Sequence, residues 1–209
     1  MVVPCLILDV YITPGSDMTQ DLFINQIDWV NYVYGVPNTF YGDRTPNPCN
    51  IDIRWRFRND QGEAVMSQIN DPFVDQDVLQ CIGYEDLNEY FQYWLNVRPP
   101  GPGPGPYGQT DTLDIAVYFV QGPFAGGFVG CAPYNTPNGP VIVISNAPEG
   151  QFRFGQTLAH ELGHVLLGPE HVDDENNLMY GGASENAYRL TPEQCAQASN
   201  SPYFRNCPE

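Results

Sequence analysis

All three histidines of the 209-residue chain fall within one twelve-residue segment, HELGHVLLGPEH, which begins at His160. His160 and His164 are four residues apart, so a helix places both imidazoles on one face, where they can reach a single metal ion. Gly168 favours a left-handed helix exit, which predicts that the chain turns back at this point. That turn brings His171 toward the helix, and three neutral imidazoles with one open position are typical of a catalytic zinc site.

Glu161 follows the first histidine directly. On a helix it is rotated by one position from His160, which lets its carboxylate hold a metal-bound water as a general base. Two alternatives remain open for the segment: histidines that only cap or pack a helix, and a metal site without hydrolytic activity. The concentration of every histidine in one window favours the metal site, and the presence of Glu161 favours hydrolysis.

The segment resembles the zinc signature of the metzincin metalloproteases, HExxHxxGxxH followed by a turn that contains methionine, the Met-turn. The resemblance implies that His160, His164 and His171 bind zinc and that Glu161 is the catalytic base and acid. Met179, in the segment NNLMYGG, lies eight residues after His171, as in matrix metalloproteases. It corresponds to the Met-turn methionine, which supports the ligand histidines from beneath the zinc without binding it.

The chain departs from the family pattern by one added residue. Gly168 lies four residues after His164 instead of three, while His171 keeps its distance of three from Gly168. If the addition moves His171 away from the helix, Asp173 and Asp174 are the alternative ligands, because carboxylate oxygens also bind zinc. The same acidic run is also a candidate calcium site, although a solvated turn is the simpler interpretation.

Hydrophobic periodicity predicts an α+β fold. Apolar runs and alternation predict five strands, at 3–12, 51–58, 113–120, 127–134 and 140–145. Helical periodicity predicts helices at 20–34, 85–97, 154–167 and 192–199. In the segment IDIRWRFR the apolar residues are expected to face inward and the three arginines outward. The proline-rich segment 99–108 is expected to be a surface loop within one domain.

The resemblance also implies an arrangement for these elements. It predicts a single catalytic domain, 1–209, with a twisted, roughly five-stranded mixed sheet and the zinc-binding helix behind it. An upper lobe, 1–168, would include the zinc helix. A small irregular lower lobe, 169–209, would hold the Met-turn and the last helix. The edge strand that binds an extended substrate would be 127–134.

The cysteines and the charge point to an exported protein. Six cysteines without a CxxC pair predict three disulfides, with about fifteen connectivities open. Cys195 and Cys207 are the favoured local pair. The chain carries 25 acidic against 8 basic residues, a net charge of −17. That charge disfavours binding to nucleic acid or to an anionic membrane surface, and no apolar run approaches the ~20 residues of a membrane span. The first residues resemble a strand of a mature domain, so any export signal would lie outside this chain.

Together these observations predict a secreted, monomeric, zinc-dependent endopeptidase. It would hydrolyse peptide bonds of a protein or peptide substrate with a metal-bound water assisted by Glu161. Two alternatives stay open: a zinc amidohydrolase with a non-protein substrate, and a non-catalytic binding module that keeps the fold.

Overall fold

The structure is a computed structural model. It describes residues 2–12, 16–35, 47, 49–57, 114–120, 129–133, 139–145, 154–182, 184 and 186–208. The predicted helix at 85–97 and the proline-rich segment at 99–108 lie outside the described residues.

A mixed sheet of six strands organises the described part of the chain. Its strands are β1 (Val2–Ile12), β2 (Asp52–Phe57), β3 (Ile115–Val120), β4 (Gly130–Cys131), β5 (Val141–Ser145) and β6 (Arg205–Pro208). The order is β2-β1-β3-β5-β4, in which the first four strands are parallel and β4 is antiparallel to β5 at the edge. This confirms the α+β prediction. β6, which pairs antiparallel with the start of β1, was not predicted, because its four residues carry no alternation.

In the described part of the chain, three helices accompany the sheet: α1 (Gln20–Val33), α2 (Phe154–Leu167) and α3 (Pro192–Ser199). α1 begins where predicted because the hydroxyl of Thr19 accepts the backbone N–H of Leu22. α3 begins at a capping box, in which Thr191 and Gln194 bond to each other's backbone N–H groups. Local sequence signals therefore determine the start of both helices.

The main hydrophobic core lies between one face of the sheet and the two longer helices. Alternation along β1 turns Leu6, Leu8, Val10 and Ile12 toward this core, which α1 and α2 cover. Because α2 packs on both the sheet and α1, its position is determined before any ligand binds. No helix among the described residues is long and apolar enough to cross a membrane.

The prediction that the β2 arginines face outward is wrong for Arg56, which is only 5% exposed. The parallel register places Arg56 opposite Asp9 of β1, and its Nε donates to Asp9 Oδ1 at 2.5 Å. Its Nη2 donates to Asp114 Oδ2, also at 2.5 Å. Opposite charges buried together satisfy each other, so the second face of β2 can be buried without an uncompensated charge. Arg54 is partly exposed and pairs with Asp52.

The predicted Cys195–Cys207 disulfide is also wrong. Cys5 pairs with Cys207, and Cys49 pairs with Cys195. The cause is β6, which brings Cys207 back to β1, while α3 packs against the segment that follows α1. Cys131 is disulfide-bonded as well. Proximity in sequence misled the prediction because α3 and β6 belong to different parts of the fold.

Candidate metal centre

α2 carries three of the predicted site residues: His160, Glu161 and His164. Its leucines at positions 158, 162 and 166 are buried in the core, so the helix has one orientation. The helix runs to Leu167 and ends at Gly168, which has φ +102° and whose N–H bonds to the carbonyl of His164 at 3.0 Å. The residue added relative to the family pattern is therefore accommodated in the last turn of α2, and Gly168 is the predicted exit.

The three imidazoles converge on one point. His160 Nε2 lies 3.1 Å from His164 Nε2 and 3.3 Å from His171 Nε2. Ligands on a tetrahedral zinc, each ~2.0–2.1 Å from the ion, are about 3.3–3.4 Å from one another. Among the described residues, these histidines form the one group of three or more His, Cys, Asp or Glu side chains whose ligand atoms all lie within 4.8 Å of one another.

The hydrogen bonds of the other ring nitrogens determine which nitrogen of each imidazole carries the proton. His160 Nδ1 lies 2.6 Å from the carbonyl oxygen of Leu178, and His164 Nδ1 lies 3.0 Å from that of Gly168. A carbonyl only accepts, so in both rings Nδ1 is the donor and Nε2 keeps its lone pair. Lone pairs that face one another need a cation between them. The donor set therefore fits a zinc ion, which favours imidazole nitrogen and three protein ligands at a catalytic site.

Burial keeps the imidazoles of His160 and His164 neutral. Desolvation lowers the pKa of His164 to about 4, and it lowers the pKa of His160 as well. The hydrogen bonds to the two carbonyls oppose this effect but do not overcome it. Neutral imidazole is the form that binds a metal, so the site is prepared for a cation through the neutral pH range.

The alternative ligands do not join the histidines. Asp173 and Asp174 are exposed and lie outside the histidine cluster. Asp174 Oδ1 instead accepts the backbone N–H of Asn176 at 3.0 Å, a bond that closes a local turn. This geometry matches the solvated turn that the sequence allowed, and His171 occupies the third position beside α2.

Glu161 lies between α2 and the edge of the sheet and is 7% exposed. Burial raises the pKa of its carboxyl to about 8, although the N–H of Ala132 donates to it and works in the opposite direction. Gly130 of β4 packs directly on it: a Cβ at Gly130 would lie 2.6 Å from Glu161 Oε1 and 2.7 Å from Thr157 Cγ2. Nothing in the sequence around Gly130 indicates this contact, because Gly130 and Glu161 lie in different elements of the fold.

Met179 is 1% exposed and packs beneath α2. A Cβ at Gly163 would overlap its sulfur, so the glycine lets Met179 approach the helix between the two ligand-bearing turns. The carbonyl of Met179 accepts the N–H of Val172 at 2.9 Å. This bond ties the segment around Met179 to the residue that follows His171, so one local structure supports all three histidines.

Two further side chains hold the site together and were not identified from the sequence. Asn47 donates to the carbonyls of Val33 and Tyr188, and its Oδ1 accepts the N–H of Leu190 at 3.0 Å. It thereby links the end of α1 to the segment before α3. The buried hydroxyl of Tyr34 donates to the carbonyl of Ala159 in α2 at 2.9 Å. Single polar residues in loops carry too little local pattern to reveal such links.

No protein-family model matches the chain, and no curated protein sequence matches it. Among solved structures it is similar to metalloproteinase-II from Bacteroides fragilis, with 20% identity and a TM-score of 0.54 over 93% of this chain. It also matches mature mirolysin from Tannerella forsythia in complex with a cleaved peptide, with 15% identity and a TM-score of 0.48. That match covers 84% of this chain and 66% of mirolysin. The chain spans about half, 52%, of the length of metalloproteinase-II. The similarity to metalloproteinase-II establishes the fold: this chain shares the α+β fold of that protein, and its three histidines gather beside α2.

Proposed function

We propose that the chain is a zinc-dependent endopeptidase of metzincin type. His160, His164 and His171 bind the zinc, Glu161 is the general base, and Met179 is the methionine of the Met-turn. The observation that carries the proposal is the convergence of three Nε2 atoms, 3.1 and 3.3 Å apart, next to a buried carboxylate. A structural metal site has a closed shell of four protein ligands, whereas these three histidines leave a position open.

His160, His164 and His171 would hold a zinc ion, which would supply Lewis acidity to a peptide carbonyl and to water. Glu161 accepts a proton from the attacking water and donates it to the nitrogen of the leaving amine. In the metal-free chain burial raises the pKa of Glu161 to about 8, which makes its carboxylate a stronger base. The backbone N–H of Ala132 donates to the carboxylate and thereby orients it.

The edge of the sheet supports a peptide as the substrate. Among the described strands, β4 stands at the end of the order and pairs only with β5. An extended peptide can add to such an edge through backbone hydrogen bonds. Because Gly130 of β4 contacts Glu161, a peptide bound along this edge would pass next to the general base. The specificity pocket would be formed by residues 180–189, which follow Met179.

Export from the cell is part of the proposal. The Cys5–Cys207 and Cys49–Cys195 disulfides join residues far apart in sequence, and such bonds persist in oxidising compartments. A monomeric state is proposed with it, whereas calcium binding has no support in the described geometry.

The test is cleavage of an unfolded protein substrate by the purified chain, with bound zinc measured in parallel. The variant is Glu161→Gln, which keeps the size of the side chain and removes the base. Glu193→Gln, an exposed residue of α3, is the matched control. We expect about one zinc in all three proteins. Cleavage should fall by roughly 10²–10⁴-fold in Glu161→Gln alone.

The other outcomes separate the alternatives. Zinc binding with hydrolysis of small amides but no protein cleavage would identify an amidohydrolase. Zinc binding without any hydrolysis would identify a binding module. A parent protein that holds no zinc contradicts the proposal altogether.

A further inference from the structure

The carbonyl of Leu178 orients His160, and it belongs to a peptide unit that is held from both sides. His160 Nδ1 lies 2.6 Å from this oxygen. In a planar trans peptide the C=O and the following N–H point in opposite directions. The N–H of that same unit, on Met179, donates to Asn177 Oδ1 at 2.9 Å. Asn177 bonds to the N–H at one edge of the peptide unit, and it therefore determines the direction of the Leu178 carbonyl at the opposite edge.

Asn177 is itself held by α3. It is only 4% exposed, and its Nδ2 donates to Gln194 Oε1 at 2.9 Å. In return Gln194 Nε2 donates to Asn177 Oδ1 at 3.2 Å. Asn177 is buried and Gln194 half-buried, and two amides that bond reciprocally orient each other, because turning either one alone would place a donor opposite a donor.

Gln194 is in turn positioned by the start of α3. Its Oε1 accepts the backbone N–H of Thr191 at 2.9 Å, and its own N–H donates to Thr191 Oγ1 at 3.2 Å. The glutamine of a helix capping box thus has a second role. One side chain both closes the helix end and orients the turn that contacts a metal-binding histidine.

We propose that Asn177 and Gln194 are positioning residues for His160 and that they act through the Leu178–Met179 peptide unit. They keep the His160 proton on Nδ1 and the lone pair of Nε2 aimed at the zinc. This inference rests on the proposed function for the identity of the metal, but its first readout is metal affinity. When residues that orient a metal ligand without binding the metal themselves are removed, metal affinity typically changes by 10–100-fold.

The test compares two variants of the capping box in the full chain. Gln194→Met keeps the length of the side chain and removes its bonds to Asn177 and to the Thr191 N–H. Thr191→Val removes only the hydroxyl, so the amide pair with Asn177 stays intact. Both variants weaken the start of α3, which makes Thr191→Val the control for a loss of helix stability. Asn177→Ala is the direct variant, but it alters the buried turn itself.

Zinc dissociation constants are measured by competition with a chromophoric chelator, and urea unfolding reports the stability of each metal-free protein. We expect zinc affinity to fall at least about tenfold in Gln194→Met and less than twofold in Thr191→Val, with similar losses of stability. In the zinc-loaded proteins, NMR should show faster exchange of the His160 Nδ1 proton in Gln194→Met only.

The inference is overturned if Gln194→Met binds zinc as tightly as the parent. It is also overturned if Thr191→Val weakens zinc binding to the same extent, because helix stability alone would then explain the effect. If the parent binds zinc and cleaves no peptide while Gln194→Met loses affinity, only the proposed peptidase function fails. If the parent protein does not bind zinc, both this inference and the proposed function are contradicted.

Discussion

Gly130→Ala tests how the edge strand holds Glu161, the proposed general base. β4 packs so closely on α2 that the added methyl group would lie 2.6 Å from Glu161 Oε1 and 2.7 Å from Thr157 Cγ2. Ordinary contacts between such atoms are ~3.5–4.0 Å, so β4 and the Glu161 carboxylate must separate by about 1 Å. Neither contact involves a histidine of the cluster, so the change is expected to displace the proposed base and to leave the three histidines in place.

The size of the effect follows from that displacement. A misplacement of about 1 Å in a catalytic constellation can cost on the order of 10²-fold in rate. We therefore expect kcat to fall about 100-fold in Gly130→Ala, with zinc content unchanged. Overpacking at a buried contact should also lower the free energy of unfolding by about 1–3 kcal/mol.

The assay is steady-state peptide cleavage together with zinc content and urea unfolding. Val129→Ala is the matched control, since it alters the neighbouring side chain and leaves the Gly130 contact with Glu161 in place. A kcat within about threefold of the parent for Gly130→Ala would contradict this prediction, because it would show that β4 yields without moving the Glu161 carboxylate. If Gly130→Ala loses zinc to the same extent as it loses kcat, the change acts on the histidine cluster instead.

α2, the carboxyl of Glu161 and the Cys49–Cys195 disulfide can each be tested by substitution. Gly163→Ala should lower the free energy of unfolding by about 1–3 kcal/mol, because the new methyl overlaps the Met179 sulfur; an unchanged urea midpoint would contradict this contact. Without zinc, the raised pKa of Glu161 (about 8, from 4.5) means that the folded state binds more protons between these values. The free energy of unfolding, relative to that of Glu161→Gln, should therefore fall as pH rises from 4.5 to 8, by up to about 1.4 kcal/mol per pH unit. If urea unfolding shows a difference between the two proteins that does not change with pH, the raised pKa of Glu161 is contradicted. Replacing both Cys49 and Cys195 by Ala should cost about 2–5 kcal/mol, and an unchanged melting temperature would show that this bond is dispensable.

Much of the candidate site was predictable because its signals are local. The spacing of His160 and His164 predicts a shared helix face, and Gly168 predicts the exit that brings His171 back. Thr19 and the periodicity after it predict α1 almost to its last residue, since a cap and an amphipathic pattern lie within the helix itself. These features depend on residues a few positions apart, where the geometry of one helix or one turn decides the outcome.

The supporting contacts were not predictable in the same way. Gly130 meets Glu161 only because the sheet order places β4 beside α2. Asn47 bonds to Tyr188, 141 residues away, and nothing near either residue indicates the other. Arg56 alternates like a surface residue, but the register of β1 against β2 buries it against Asp9.

Residue spacing was therefore sufficient to predict the candidate ligands, the candidate base and the elements that carry them, because spacing along a helix is set by the backbone. Three features depended on the fold as a whole: His171 joins the cluster despite the added residue, Cys5 pairs with Cys207, and Gln194 reaches Asn177. The cause is the same for all three. These contacts join segments whose approach depends on the packing of the whole sheet and its helices, and that packing has no representation in any short stretch of sequence.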